Sequence, residues 1–224
     1  MQDQFKKEII SKVKYFRENI LKNMRALERF YNHKFYLFAE QKILIDENLD
    51  CLLIGLNQAS IVTTNHLMER MLKVALIKFH TMHFSVGDPE LQTKLGEAKQ
   101  KYDGKYLFES IKNAFDRKII NEEEKKELLE FKDKFRNPYS HAEISKIVTD
   151  TPSTFSGHLF SFKEIENALQ KGEKIPVGEK TEVPTDIMYQ IIQVDKADCV
   201  SFDYFQQVFT IMCNIDERYK SESR

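Results

Sequence analysis

Glycine and proline are scarce, seven and five in 224 residues. A fold built from many short strands needs turn residues at higher density, so an all-β domain is excluded. Cysteine is scarcer: Cys51, Cys199 and Cys213 are odd in number, far apart and without C-x-x-C spacing. That excludes a disulfide framework or a structural zinc site and fits a reducing compartment. No apolar run approaches membrane-spanning length; the longest, Val74 to Ile77, is closed off by Lys73 and Lys78. The first residues, MQDQFKKEIISKVKYF, have no apolar segment of the secretory kind, so the chain is expected in the cytoplasm, away from membrane. A net charge of −1 leaves no global basic field, although a local basic patch would be hidden in that total.

What is present is helical patterning. Apolar residues at 42% can fill a core, and charged residues at 31% suit long solvated helix faces. Over residues 2–31, Phe5, Ile9, Val13, Phe16, Ile20, Met24, Leu27 and Tyr31 step by four or three and draw one stripe. A shorter helical piece is expected around Phe35 to Leu44. Residues 51–84 read as a second long helix, with Ile54, Ile61, Met68, Leu72, Ala75 and Phe79 inward and His66, Glu69, Arg70 and Lys73 sharing the polar side. Loops are expected at 85–89 and at Asp103-Gly104. Residues 121–135 predict a helix capped by Asn121 and rich in acid in its first turn. Residues 202–219 predict a closing helix.

The chain therefore reads as one all-α domain, an up-and-down helical bundle. It carries an N-terminal helical extension over 1–50, an irregular insert over 145–200 and a closing helix over 201–220. The insert holds loop chemistry at Thr151-Pro152 and Pro176-Val-Gly178 and one short helix over 161–169.

The segment richest in chemistry is Phe135-Arg136-Asn137-Pro138-Tyr139-Ser140-His141. Pro138 suits a first helical position, and Asn137 before it is pushed toward an extended, capping conformation. One helix is expected to end near Phe135 and another to begin at Pro138. Arg136 would then lie on the joint and His141 in the first turn, beside free N–H groups that favour phosphate. A guanidinium fork and an imidazole there would form a compact phosphodiester site.

Arg136-Asn137 followed by His141 resembles the R-N-x-x-x-H form of the R-x(4–6)-H motif of the HEPN (higher eukaryotes and prokaryotes nucleotide-binding) family. The resemblance covers roughly residues 50–145 together with 202–219. It implies a motif at a helix joint in a helical bundle, two subunits pairing as a homodimer around one cleft, and metal-independent cleavage of RNA. It also implies a toxin–antitoxin or antiviral setting, with an antitoxin or other defence protein as a further partner. Glu69 and Lys73, in Leu67-Met-Glu-Arg-Met-Leu-Lys-Val-Ala, resemble the family's earlier helix facing the motif.

On that resemblance His141 is the general base or acid and Arg136 grips the scissile phosphate, while Asn137 fixes the joint. Glu69 orients Arg136, and Glu143 tunes His141. No cofactor or metal is implied. The alternative is a non-catalytic module of the same fold that binds nucleotide or a partner protein. The sequence departs from the family at Glu143, where one toxin subgroup has a modified Tyr, in its long insert and in its extra first helix.

Plainer roles compete for several of these residues. Glu69 can pair with Lys73 at i, i+4, and Glu143 can be a solvated helix residue. His80, His83 and Cys51 lack acidic or Cys neighbours in sequence, so end-of-helix histidines are favoured over a metal site. His33, His66 and His158 are singletons without an assigned role. Tyr31, Phe35, Tyr36 and Phe38 read as a core-and-turn cluster rather than a base-stacking platform. Lys125, Lys126, Lys132 and Lys134 are interleaved with glutamates and read as a solvated face.

Overall fold

A computed structural model describes residues 2–85, 87–140, 144–147, 154–159, 162–174 and 179–223. Helix α1 (Gln2–Tyr31) is followed by a 3-10 turn (Ala39–Gln41), α2 (Lys42–Ile54), α3 (Asn57–Thr81), α4 (Leu91–Tyr102) and α5 (Leu107–Asp116). Helix α6 (Glu122–Phe131) passes through a π-helical turn (Lys132–Arg136) into α7 (Asn137–Ser140). Then come α8 (Ile144–Ile147), β1 (Thr154–Leu159), α9 (Phe162–Lys171), β2 (Glu179–Pro184) and α10 (Thr185–Glu222). The architecture is an all-α bundle, and none of the described helices is long and apolar enough to cross a membrane.

Residues 51–84 form two helices rather than one. Gly55 takes a left-handed φ of 80° and ends α2, donating its N–H back to Cys51 and Leu52. A Cβ built on it would lie 2.8 Å from the Asn19 side chain, so α1 closes against a position that only glycine fills without strain. The carbonyls left over at this helix end find donors on α1: Tyr15 Oη donates to Gly55 O at 3.2 Å and Asn23 Nδ2 to Leu52 O at 2.9 Å.

These contacts also mark where α1 stops being covered. Thirty residues of helix extend about 45 Å, whereas the 13 residues of α2 extend about 20 Å. Leu27 and Phe30 are buried, but Phe5, Ile9 and Val13, on the same apolar stripe as Leu27, are exposed. The stripe is real, and only its C-terminal part is seated.

The core lies between α3 and α10, where Leu67, Met68, Met71 and Leu72 meet Tyr204, Phe205, Val208 and Met212. Matched contacts give the directions. Only Gly55 and Leu56 separate α2 from α3, and Asn48 on α2 bonds Ser60 and Thr64 on α3, so the chain doubles back and the two helices run antiparallel. Asn57 pairs with Asp198 and Phe79 packs on Tyr219, so α3 and α10 run the same way. Helix α6 runs against α10 and is locked to it by Glu124. Its carboxylate accepts a two-pronged bond from Arg218, 2.8 Å on each oxygen, and one from Asn214 at 3.0 Å.

Glu124 also closes the capping box expected at Asn121. Breaks fall between α3 and α4, where the 85–89 loop is expected, and between α4 and α5 at Asp103-Gly104. The aromatic segment after α1 is structural: Phe38 is fully buried, and Phe35 packs on Phe38 and Phe209.

The stretch before the last helix has more order than its composition predicts. β1 and β2 pair antiparallel from Thr154↔Pro184 to Leu159↔Glu179, with α9 between them. The closing helix starts at Thr185 rather than near 201 and runs 38 residues.

Candidate functional site

The expected break at Asn137-Pro138 does not occur. Asn137 sits at φ −65°, ψ −52°, a helical conformation, and donates its N–H to Lys132 O five residues back. Proline removes one helical N–H and crowds the carbonyl four residues before it. A widened turn upstream is one of the few ways a helix passes through a proline without a sharp kink. The five residues Lys132–Arg136 are that turn, and Arg136 is its last residue. The joint expected between two helices is thus a π segment inside one continuous run.

Two residues of α3, one helical turn apart, hold this segment. Asn65 is buried, and its Nδ2 donates to Phe135 O at 3.4 Å and to Ser140 Oγ at 3.3 Å. Its Oδ1 accepts from Tyr204 Oη at 2.8 Å, and the Tyr204 ring stacks on Phe135 with centroids 4.2 Å apart. Burial, and next the negative charge of Glu69, push the Tyr204 phenol well above its ordinary range, so it stays a hydrogen-bond donor. Glu69 then takes the side chain: Arg136 Nε donates to Glu69 Oε1 at 2.6 Å, across 67 residues of sequence. Both side chains are about a quarter exposed, at 25% and 27%. A short, charge-assisted bond of this kind fixes the orientation of a guanidinium plane.

The structure therefore brings Arg136 and Glu69 together. The competing i, i+4 pair between Glu69 and Lys73 is not formed among the described residues. Asn137 is not an extended cap; its Nδ2 reaches back along its own helix to Asp133 Oδ1 at 3.4 Å, on an exposed face. His141 and Glu143 lie outside the described residues.

Asn65 and Tyr204 were missed by sequence reasoning, although one signal existed. Asn65 falls on the buried stripe of α3 between Ile61 and Met68, and a polar residue there must find partners inside the protein.

Two concavities lie near these residues, one lined by Glu69 and the other by the π segment itself. One, of about 600 Å³, lies between α3 and α4 and is lined by His66, Glu69, Arg70, Lys73 and Lys99. The other, of about 700 Å³, lies toward α10 on a mostly apolar lining that includes Phe135, Tyr139, Ile147, Ile192 and Val200. Of the lysines of α6 and the π segment, Lys126 and Lys134 are exposed, whereas Lys125 and Lys132 are half-buried: Lys125 pairs with Glu122 and lies 3.9 Å over the Phe115 ring, and Lys132 pairs with Asp133. His80 stands beside Arg117 and Tyr102. Among the described residues, no three His, Cys, Asp or Glu side chains gather into a metal-binding group.

The arrangement holds one guanidinium in a fixed plane through Glu69, a residue that also lines a cleft with cations on its walls, which is chemistry suited to a phosphate. Compared with protein-family models, with curated proteins and with solved structures, the chain matches none of them.

Proposed function

We propose that this protein is a HEPN-like, metal-independent endoribonuclease acting as a homodimer in a toxin or antiviral defence setting. The observation that carries the proposal is the Arg136–Glu69 bond of 2.6 Å. The motif arginine is held by a carboxylate from the earlier helix, on a distorted turn that ends one residue before Asn137. The resemblance of Arg136-Asn137 and His141 to the family motif supplies the rest.

The chemistry follows from those groups. A basic side chain, His141, takes the proton of an RNA 2′-hydroxyl. The 2′-oxygen attacks the adjacent phosphorus, and the bond from phosphorus to the 5′-oxygen breaks. The leaving 5′-oxygen receives a proton, so the products are a 2′,3′-cyclic phosphate and a 5′-hydroxyl. Arg136 stabilises the charge that builds on the non-bridging oxygens, and Glu69 keeps its fork in place.

The test is RNA cleavage by the full chain in the presence of a chelator. Cleavage with cyclic-phosphate ends is expected, and Arg136→Ala and His141→Ala should each lose about a hundredfold or more in rate. Full activity in either variant refutes the proposal. Binding without cleavage by the unaltered chain selects the non-catalytic nucleotide- or partner-binding module instead.

A further inference from the structure

The cleft between α3 and α4 has a charge pattern that its own residues do not balance. Several helix cations elsewhere in this chain have an acid one turn away: Lys12 with Glu8, Lys42 with Asp46 and Lys94 with Glu97. Lys73 has such a partner in sequence, Glu69, but Glu69 binds Arg136 instead. At the far end Glu40 binds Lys78 at 3.1 Å. Arg70 has only His66, Leu67, Lys73 and Val74 at helical-neighbour positions, none of them acidic. Lys99 faces the same cleft from α4. Arg70, Lys73 and Lys99 therefore line one concave surface, and among the described residues their side chains have no ion pair or hydrogen bond. The remaining anion on the lining is Asp103, four residues after Lys99, so three cations face one acid.

The geometry of the row is linear. His66, Glu69, Arg70 and Lys73 follow one edge of α3, a run of about 10 Å along the helix axis. Glu69 stands in the middle of that edge and anchors the guanidinium assigned to the scissile phosphate. Val74, Ile77 and Leu95 are half-buried lining residues, and among the described residues His66 supplies the one ring on the lining, with no Phe, Tyr or Trp beside it. Such a surface grips a backbone and does not read bases.

We infer that this cleft is the track for the sugar–phosphate backbone of single-stranded RNA next to the bond being cut, with Arg70, Lys73 and Lys99 each on a phosphate. The identity of the ligand rests on the nuclease reading; the unbalanced charge does not. Binding is therefore independent of sequence and strongly dependent on salt.

The experiment measures binding of a roughly twelve-nucleotide 2′-O-methyl RNA, which has no nucleophilic hydroxyl, to the full chain by fluorescence anisotropy across a salt series. Three phosphate contacts at roughly 0.7 of log–log slope each predict that R70Q/K73Q/K99Q flattens the salt dependence by about 2, so that between about 50 and 200 mM salt the unaltered chain loses about twentyfold more affinity than the variant. Each single substitution should flatten it by about 0.7. The charge-matched control K12Q/K14Q/K22Q, on the exposed face of α1, should leave the slope unchanged.

An unchanged slope in the cleft variant, or equal flattening in the control, overturns the inference. So does ATP binding that depends on the three residues while RNA binding does not, since that marks a mononucleotide pocket. If the unaltered chain leaves unmodified RNA uncut while the cleft variant still loses RNA affinity, the nuclease reading fails and the track stands. The reverse result removes the track and leaves the nuclease.

Discussion

Replacing Tyr204 by Phe removes one oxygen atom from the bridge that holds the π segment, and the cost can be worked from the contacts. Tyr204 is 1% exposed and its hydroxyl donates to Asn65 Oδ1 at 2.8 Å. Without it the stacking of the ring on Phe135 survives, but Asn65, 3% exposed, keeps a buried carbonyl oxygen with no donor. Leaving such an acceptor unpaired costs about 2 kcal/mol, within a usual range of roughly 1–3. For a domain of this size that is a fall in Tm of about 4–8 °C. Asn65→Ala should cost more, about 3–4 kcal/mol, because Phe135 O loses its donor, the Tyr204 hydroxyl is stranded and a small cavity opens. Urea denaturation of the two single variants and the double variant gives the coupling, expected at about 1–2 kcal/mol. Strictly additive effects, or a Tyr204→Phe variant within about 0.5 kcal/mol of the parent, would falsify the bridge.

Acid should unlock α6 from α10. Burial raises the Glu124 carboxyl, but the bonds from Arg218, Asn121 and Asn214 outweigh it and leave its pKa below the usual carboxylate value. A depressed folded pKa contributes stability above the unfolded value of about 4.3, and that contribution is lost as pH falls through the folded value. Arg218→Met should cost about 2–3 kcal/mol at neutral pH, discounted because Arg218 is partly exposed, and should flatten the acid limb of a Tm-against-pH curve; an unchanged limb refutes the assignment. Thiol chemistry offers a separate check on packing. Burial first, then Asp216 and Glu217, push the Cys213 thiol up to about 11, and burial followed by Asp50 raises Cys51, while Cys199 is exposed. Iodoacetamide at neutral pH should therefore label Cys199 first, and mass spectrometry showing Cys213 labelled as fast as Cys199 would contradict that packing.

Much of the bundle was legible because it depends on local pattern. The apolar stripe of α1, the Asn121 cap with acid in the first turn, the loop after α3 and the Phe205-Phe209-Met212 stripe of α10 are all decided within a few residues. What was not legible depends on partners far away in sequence. Pro138 reads locally as a helix start, yet Asn65, about 70 residues earlier, supplies a donor to the widened turn, and the helix continues. Gly55 reads as a weak spot inside a helix, yet Asn19 packs where a Cβ would sit, and the chain turns there. At the candidate site, the neighbouring roles of Arg136 and Glu69 came from the family resemblance, while periodicity alone offered Lys73 as the carboxylate's partner. The strands at 154–159 and 179–184 gave no alternation strong enough to announce themselves.

A π turn carries one residue more than the α-helix it interrupts. Its two flanks are therefore offset by that one residue relative to an uninterrupted α-helix. One residue of α-helix is about 100° of rotation. A single-residue deletion within 132–134 would restore even winding and swing the guanidinium away from its carboxylate, with the composition of the segment almost untouched. This stretch of chain must keep its length constant as well as its arginine.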